Sequence, residues 1–471
     1  MAKKPPKNPL LVVLGATGTG KSQLAVALAT RFNGEIINGD AMQMYDGLPI
    51  ITNKITVEEQ NGIPHHLLGF IALDEEPWRV GLFKRKASQI IREIRSRGRV
   101  PILVGGTHYY TQSLLFDDSL VTAQGEGEEQ VQTELSNQEI SEKFPILDGP
   151  TEAMIERLKE VDPVMADRWH PNDRRKIRRS LEIFLLTGKR ASDVYAEQKE
   201  NKSLAKKAGD SQEEDTISQS ASENISPLLF WVHAESETLK ARLDARVDKM
   251  MEAGLLDEVK SMGNFLRHHA KLGQDVDRSR GIWVSIGWKE FERYLSALET
   301  DPESQGKLDE LFALSIEQVK SATRQYAKRQ TRWIRLKLIP ALSNQNLLDK
   351  LYLLDGTDVT RWTEAVEDPA IDITASFLAG EELRAASELS DAAKQFLTPE
   401  RSFEFADRRD LWVRHECELC HTISVTEEQW ESHLKSRGHR RLVKKQLRNA
   451  GSGRSPLPNN ESAPASEEVS G

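Results

Sequence analysis

Apolar residues fall into two kinds of block along the chain, and the contrast between them predicts the fold. Four runs are short and unbroken: residues 10–14, the isoleucines of EIINGD, VPILV at 100–104 and PLLFWV at 227–232. Each is too short for a helix and stops at a glycine or polar residue, the pattern of strands buried on both faces. Between these runs apolar positions recur three and four residues apart. Leu24, Ala27 and Leu28 do so after the first run and Leu239, Leu243 and Val247 after the last, while residues 80–97 read as a helix rich in Lys and Arg. Strands alternating with helices predict an α/β domain, a phosphate-loop type of parallel sheet with helices on both faces. The middle of the chain breaks this rhythm. Leu158, Val161, Met165, Leu181, Phe184 and Leu185 make helical stripes with no strand between them, so a small helical unit is inserted. Further on, EQVKSATRQYAKRQTRWIRL is a long helix with Val319, Tyr326 and Trp333 on one face and Lys320, Arg324, Lys328 and Arg335 near another.

At 471 residues the chain exceeds one typical core, and composition marks the joints. Residues 117–142 lack Lys and Arg and are acidic and rich in Gln and Ser, and 201–226 are polar and low in complexity; both read as solvated, disordered loops. The expected division is a core at 10–116 and 227–345, a helical insertion at 117–226, a linker with one helix at 346–405, a finger at 406–446 and a disordered tail at 447–471.

Net charge is −9, which argues against a generally cationic coat and leaves any polyanion to local basic patches. The two cysteines are too few for a disulfide framework and fit a reducing compartment. No apolar run reaches the length of a membrane span, and MAKKPPKNPL lacks the apolar core of a secretory signal. A soluble monomer in the cytoplasm is expected, with nucleus and mitochondrion as further compartments. The basic first residues make a poor organelle leader, because prolines interrupt any amphipathic helix.

The first strand runs into GATGTGKS, which fits G-x-x-x-x-G-K-[ST] at Gly15, Gly20, Lys21 and Ser22. In that pattern the amides of Gly15, Ala16, Thr17, Gly18, Thr19 and Gly20 face an anion and the helix start adds partial positive charge. Lys21 reaches the outer phosphate and Ser22 ligates Mg²⁺, so the expected ligand is a di- or triphosphate. Asp40 ends the next strand, and Gly105, Gly106 and Thr107 end the one after; in a doubly wound sheet these ends line one crevice with the phosphate loop. Asp40 there is either a metal-ligating or capping carboxylate or a general base. His65, His66 and His108 have no partners at metal-ligand spacing and read as packing or capping groups.

Arg174, Arg175, Lys176, Arg178 and Arg179 crowd a helix start after Pro-Asn-Asp, a candidate patch for a phosphate backbone. Arg242 and Arg246 share a helix face within reach of phosphates. The long basic helix, with Arg324, Lys328, Arg329, Arg332 and Arg335 among aromatics, suits a nucleic-acid groove. Near the C-terminus Cys417, Cys420, His433 and His439 obey C-x₂-C-x₁₂-H-x₅-H, the spacing of a ββα finger. Two thiolates and two imidazoles make a closed, structural Zn²⁺ site with no position open for catalysis. His415 and His421 compete as donors but leave no helix-length gap. Arg437, Arg440, Arg441, Lys444 and Lys445 follow, so the finger is expected to touch nucleic acid or protein.

These blocks together resemble the tRNA dimethylallyltransferases, or tRNA isopentenyltransferases, in the eukaryotic form with a C-terminal finger. The resemblance covers about residues 10–345 plus the finger. GATGTGKS, INGDAMQMY, GIPHHLLG, RGRVPILVGGTHYY, HPNDRRKIRRSLEIF, ARVDKMMEAGLLDEV, SIGWKEF and TRQYAKRQTRW carry it, in family order. Two departures stand out: Gly39 and Ala41 replace the usual small residues beside Asp40, and Val284 to Trp288 replaces a Gln-Ser-Ile-Gly-Tyr block expected to bear on tRNA contact. The resemblance implies transfer of a dimethylallyl group from dimethylallyl diphosphate to N6 of the adenosine 3′ of the anticodon, in tRNAs reading codons that begin with U. It casts Asp40 as general base and Thr107 as a donor near the bridging oxygen. Lys21, the loop amides, Arg246 and Mg²⁺ on Ser22 would balance the leaving diphosphate, and Asp40, Ala41, Met42 and Gln43 would meet the anticodon loop. Two rivals are a phosphate-loop kinase of a nucleoside or small metabolite, with Asp40 deprotonating a hydroxyl, and a silent RNA-binding protein. A kinase has no use for a finger, and a silent binder no need of Lys21, Ser22, Asp40 and Thr107 together.

Overall fold

All four apolar runs become parallel strands, and two further strands join them. In the computed structural model, which describes residues 4–116, 137–197, 225–274, 276–397 and 414–451, they are β1 (Pro9–Gly15), β2 (Gly34–Asn38), β3 (His65–His66), β4 (Val100–Val104), β5 (Ser226–His233) and β6 (Leu351–Asp355). Their order is β3-β2-β4-β1-β5-β6, every pair parallel. On the central strand Leu11 stands between Ile102 of β4 and Leu228 of β5, all fully buried. Helices cover the sheet, which is why the strands are apolar throughout instead of alternating. The helix Val80–Ser96 shows the covering pattern, burying Phe83, Ala87, Ile91 and Ile94 at helical intervals. Because the strands are parallel, the turns after β1, β2 and β4 open at one edge.

A buried carboxylate fixes the other end of β2. Glu35, with its side chain 3% exposed, accepts from Arg97 at 2.8 Å, Arg99 at 3.1 Å and His66 at 2.6 Å. Burial pushes its pKa up, but Arg97 and His66 outweigh that and hold it at about 2. His66 thus ties β3 to β2, and His65 bonds the Ile63 carbonyl at 2.8 Å, the packing roles expected of both.

The stretch expected to be a linker departs from that reading. Its residues through 397 are folded core: β6 buries Leu351, Tyr352, Leu353 and Leu354 at 0% exposure, and the helix Asp368–Ala379 buries Ala370, Ile373 and Phe377. A five-residue strand carries too little periodicity to announce itself, and its apolar character makes sense only beside β5. Trp362 explains a loop glycine: Gly20 has φ 90°, and a Cβ there would lie 2.4 Å from the indole. Residues 398–413 lie outside the described part, as do most of the two loops expected to be disordered and the tail from 452.

The chain separates into two compact units, Met1–Thr122 with Glu213–Ser402, which holds the sheet, and Ala123–Gln212 with Phe403–Gly471. The second is helical, with Met154, Leu158, Ile177 and Leu181 fully buried; its described part begins with the helix Asn137–Lys143, ahead of the expected start of order near Gly149. Phe184 and Leu185 are only half-buried, and Ile183 takes the inner position. Asp162 caps two turns at once, accepting from the Met165 and Ser192 amides. The same unit contains the finger, β7 (His415–Glu416) antiparallel to β8 (Ile423–Ser424), followed by the helices Glu427–Leu434 and Arg437–Gly451. His170 accepts a hydrogen bond from the Asn172 amide on Nδ1, and its Nε2 lies 3.0 Å from the Ile423 carbonyl, which ties the hairpin to the helical unit.

Ending the chain after residue 345 should expose the β5 edge and abolish cooperative thermal unfolding, whereas ending it near residue 400 should leave the sheet unit's transition intact. Calorimetry on the two truncations distinguishes a structural β6 from a dispensable one.

Candidate active site

The site forms where the turns after β1, β2 and β4 meet, and it depends on the absence of side chains. A Cβ on Gly105 would lie 2.2 Å from the Gly39 carbonyl carbon, and one on Gly106 would lie 2.9 Å from the Asp40 carboxylate. That approach brings Asp40 against three backbone N–H groups, of Met42 (3.1 Å), Gln43 and Gly106. Asn38 accepts from the Asp40 amide at 3.0 Å and donates to Leu67, fixing the turn. The Thr107 hydroxyl accepts the Ala41 amide at 3.1 Å, which leaves its own proton to give. Glycine at 39 is not obligatory, since a Cβ there would come no closer than 3.3 Å to its neighbours.

Across from Asp40 lies the phosphate loop. Lys21 donates to the Ala16 carbonyl at 2.7 Å, Thr19 to the same oxygen at 2.9 Å, and Arg246 reaches the Thr17 hydroxyl at 3.5 Å. Burial dominates the charges here. It pushes Asp40 up despite its amide donors, pulls Lys21 down to about 8 against the pull of Asp40, and lowers Arg246 to about 10. The Ser22 hydroxyl makes no hydrogen bond among the described residues, so it is available to a ligand. One expectation fails: the Thr17 amide does not face an anion but donates to Gln330 at 2.8 Å.

Gln330 and Tyr326 join the site without any motif that marks them. Gln330 is 4% exposed and also donates to the Gly106 carbonyl at 3.0 Å, while Tyr326, one turn away, lies against Gln330 and is pushed up by burial and Asp40. Both belong to the long helix Gln305–Trp333. A glutamine within its apolar stripe, between Ala327 and Ile334, was the available signal. His108 is buried with neither ring nitrogen bonded, and burial holds it neutral, down to about 3.

Several cations taken for contacts are occupied. Arg242 donates to the Gly356 and Thr357 carbonyls and so binds the turn after β6. On the long helix Arg324 pairs with Asp244, Lys320 with Asp248 at 2.7 Å, and Arg335 lies 5.0 Å over the Phe396 ring. Lys328, Arg329 and Arg332 are exposed. Gln43 donates to the Asn53 carbonyl at 2.9 Å, and Met42 and Ala41 are half-buried beside it. Trp288 of the departing block is core, 3% exposed and edge-on to Trp283, while Val284 is half-buried.

In the helical unit Arg174 donates to the Gly149 and Leu147 carbonyls and Arg178 to Leu147 and Glu182. Arg179 also holds Glu182, and Lys176 pairs with Asp173 at 2.9 Å. These four brace the helix instead of standing free; Arg175 is exposed. The finger brings Cys417, Cys420, His433 and His439 together with donor atoms within 4.8 Å of one another. Their separations, Cys417 to Cys420 at 3.5 Å, Cys420 to His433 Nε2 at 3.5 Å and Cys420 to His439 Nδ1 at 3.2 Å, are those of a tetrahedral metal cage. His415 stacks on Trp430 and bonds Glu427, outside the cage.

A family model described as IPP transferase matches residues 43–337, downstream of the phosphate loop. A tRNA dimethylallyltransferase of Schizosaccharomyces pombe is 39% identical over 94% of this chain and 96% of its own length. A human protein of the same name is 34% identical over 93% of this chain and 87% of its own. A solved eukaryotic dimethylallyltransferase, captured acting on tRNA, superposes with a TM-score of 0.73 at 31% identity, covering 95% of this chain and 99% of that one. No helix among the described residues is long and apolar enough to cross a membrane.

Arg174→Ala should destabilise the helical unit by about 1–3 kcal/mol, because it strips a charged donor from two carbonyls, while Arg175→Ala should leave stability unchanged. Urea titration of both variants checks the assignment; equal effects would refute it.

Proposed function

The chain belongs to the IPP transferase family, and we propose that it transfers the dimethylallyl group of dimethylallyl diphosphate to N6 of the adenosine 3′ of the anticodon in tRNA. The observation that carries this reading is a single crevice in which a half-buried carboxylate, Asp40, faces a phosphate loop with its lysine and a second half-buried cation, Arg246. The N6 lone pair attacks the allylic carbon, the carbon–oxygen bond to diphosphate breaks, and Asp40 takes the N6 proton. An exocyclic amine is a weak nucleophile, and a carboxylate raised by burial is a stronger base for it. Thr107, its oxygen already accepting from Ala41, has its proton free for the bridging oxygen. Lys21 and Arg246 balance the charge that develops on the leaving diphosphate.

Ser22, with its hydroxyl unengaged, would help to hold Mg²⁺, whose charge would favour departure of diphosphate. Cys417, Cys420, His433 and His439 suit Zn²⁺ and fill all four of its positions, so the finger's metal is structural. For tRNA, the exposed Lys328, Arg329, Arg332 and Arg175 and the finger's Arg437, Arg440, Arg441, Lys444 and Lys445 are the proposed phosphate contacts. Those contacts offset the unstacking of the target base, about a few kcal/mol.

Purified protein, dimethylallyl diphosphate, Mg²⁺ and unmodified tRNA should yield prenylated adenosine on nucleoside mass analysis; ATP turnover without that product would favour a kinase. Asp40→Asn should cut the single-turnover rate at saturating substrates by at least about 10²-fold. As a base, Asp40 works deprotonated, so the unaltered enzyme should lose rate as pH falls through a value above the ordinary carboxylate range, and the variant should lack that limb.

Replacing Cys417 and Cys420 with Ser should remove the bound zinc and unfold only the finger, since so small a domain derives its folding energy from the metal. Weaker tRNA binding at physiological salt with an unchanged saturated rate is the expected result, read by zinc analysis, filter binding and single-turnover assays. A lost saturated rate in the folded variant would contradict a purely binding role.

A further inference from the structure

Gln330 is the side chain on which the two halves of the crevice converge. Its carbonyl oxygen accepts the Thr17 amide of the phosphate loop at 2.8 Å, and its amide nitrogen donates to the Gly106 carbonyl, in the turn after β4, at 3.0 Å. The Gly106 N–H in turn lies against the Asp40 carboxylate, and Thr17 carries the hydroxyl that Arg246 approaches. A Cβ on Gly106 would lie 2.4 Å from the Gln330 amide nitrogen, so the sequence leaves that space for this contact. Tyr326 lies against Gln330 from one turn earlier. An apolar side chain there would leave both partners unsatisfied.

We propose that Gln330 is a positioning residue: it sets the separation between the diphosphate held at the phosphate loop and the base and hydroxyl, Asp40 and Thr107, held at the opposite turn. It touches no reacting atom. It acts through Thr17 and Gly106, so that the allylic carbon of a donor anchored by its diphosphate arrives within reach of the nucleophile. The inference rests on the transferase reading above for what is positioned, but the tie between the loops is independent of the reaction.

Gln330→Met keeps length and volume and removes both hydrogen bonds, and the expected result has three parts. Calorimetric titration with inorganic diphosphate and Mg²⁺ should show affinity weakened about tenfold. The single-turnover rate at saturating donor and tRNA should fall about 10²-fold, the usual consequence of displacing reactants by about an ångström. Filter-binding affinity for tRNA should stay within about twofold, a split that mere destabilisation would not produce. If the methionine variant does not fold, Gln330→Glu keeps the acceptor for Thr17 and loses the donor to Gly106, and the same fall in saturated rate is expected. Diphosphate affinity and saturated rate both within about twofold of the unaltered enzyme, in a folded variant, would overturn the proposal. If the unaltered chain prenylated no tRNA while Gln330→Met still lost diphosphate binding, the transferase reading would fail and the tie between the loops would stand.

Discussion

At one edge of the sheet two backbones pass so closely that a side chain cannot stand between them, and the rest of the site is arranged around that contact. A methyl group on Gly105 would sit 2.2 Å from the Gly39 carbonyl carbon. With the turns after β2 and β4 in contact, the Asp40 carboxylate falls within reach of amides from its own turn and from Gly106, and the Thr107 hydroxyl meets the Ala41 amide. The phosphate loop, closed over by Trp362 on one side, is held to this pair of turns by Gln330. A sheet of strictly parallel strands is what puts the three turns at one end.

Burial and charge oppose one another there. One carboxylate and two cations sit half-buried, and desolvation acts on all three, raising Asp40 and lowering Lys21 and Arg246. Among the described residues Lys21 finds only a carbonyl, that of Ala16, as its direct partner. The loop is therefore short of negative charge. A diphosphate would supply it, and its departure as a leaving group would occur without a cation having to move in, which is how preorganised charge lowers a barrier. The contrast with Glu35 is instructive: it meets two guanidinium groups and an imidazole and is held at about 2, a structural carboxylate rather than a basic one.

The same distinction sorts the basic residues. A run of arginines reads as a binding patch, yet a guanidinium has five donors, and main-chain carbonyls near a helix start use them readily. Arg174, Arg178 and Arg242 are consumed in this way, and Arg324 faces an aspartate on a neighbouring helix. What is left outward, Lys328, Arg329 and Arg332 among them, is a smaller and more specific set than the charge count implied.

Much of the protein could be read from its residues because the relevant signals are local. An apolar run beside GATGTGKS, strands ending at Asp40 and Thr107, and the spacing of Cys417, Cys420, His433 and His439 each lie within a few dozen residues, and each found its expected neighbours. The domain insertion was visible as a change of period from strand to helix. What the tertiary structure decided was everything that depends on a partner far along the chain. β6 is a strand only because β5 offers an edge, Gly20 is required only because Trp362 lies against it, and Gln330 reaches Thr17 across 313 positions. Whether an arginine binds a ligand or braces a turn is likewise settled by which carbonyls lie nearby, and no periodicity along the sequence encodes that.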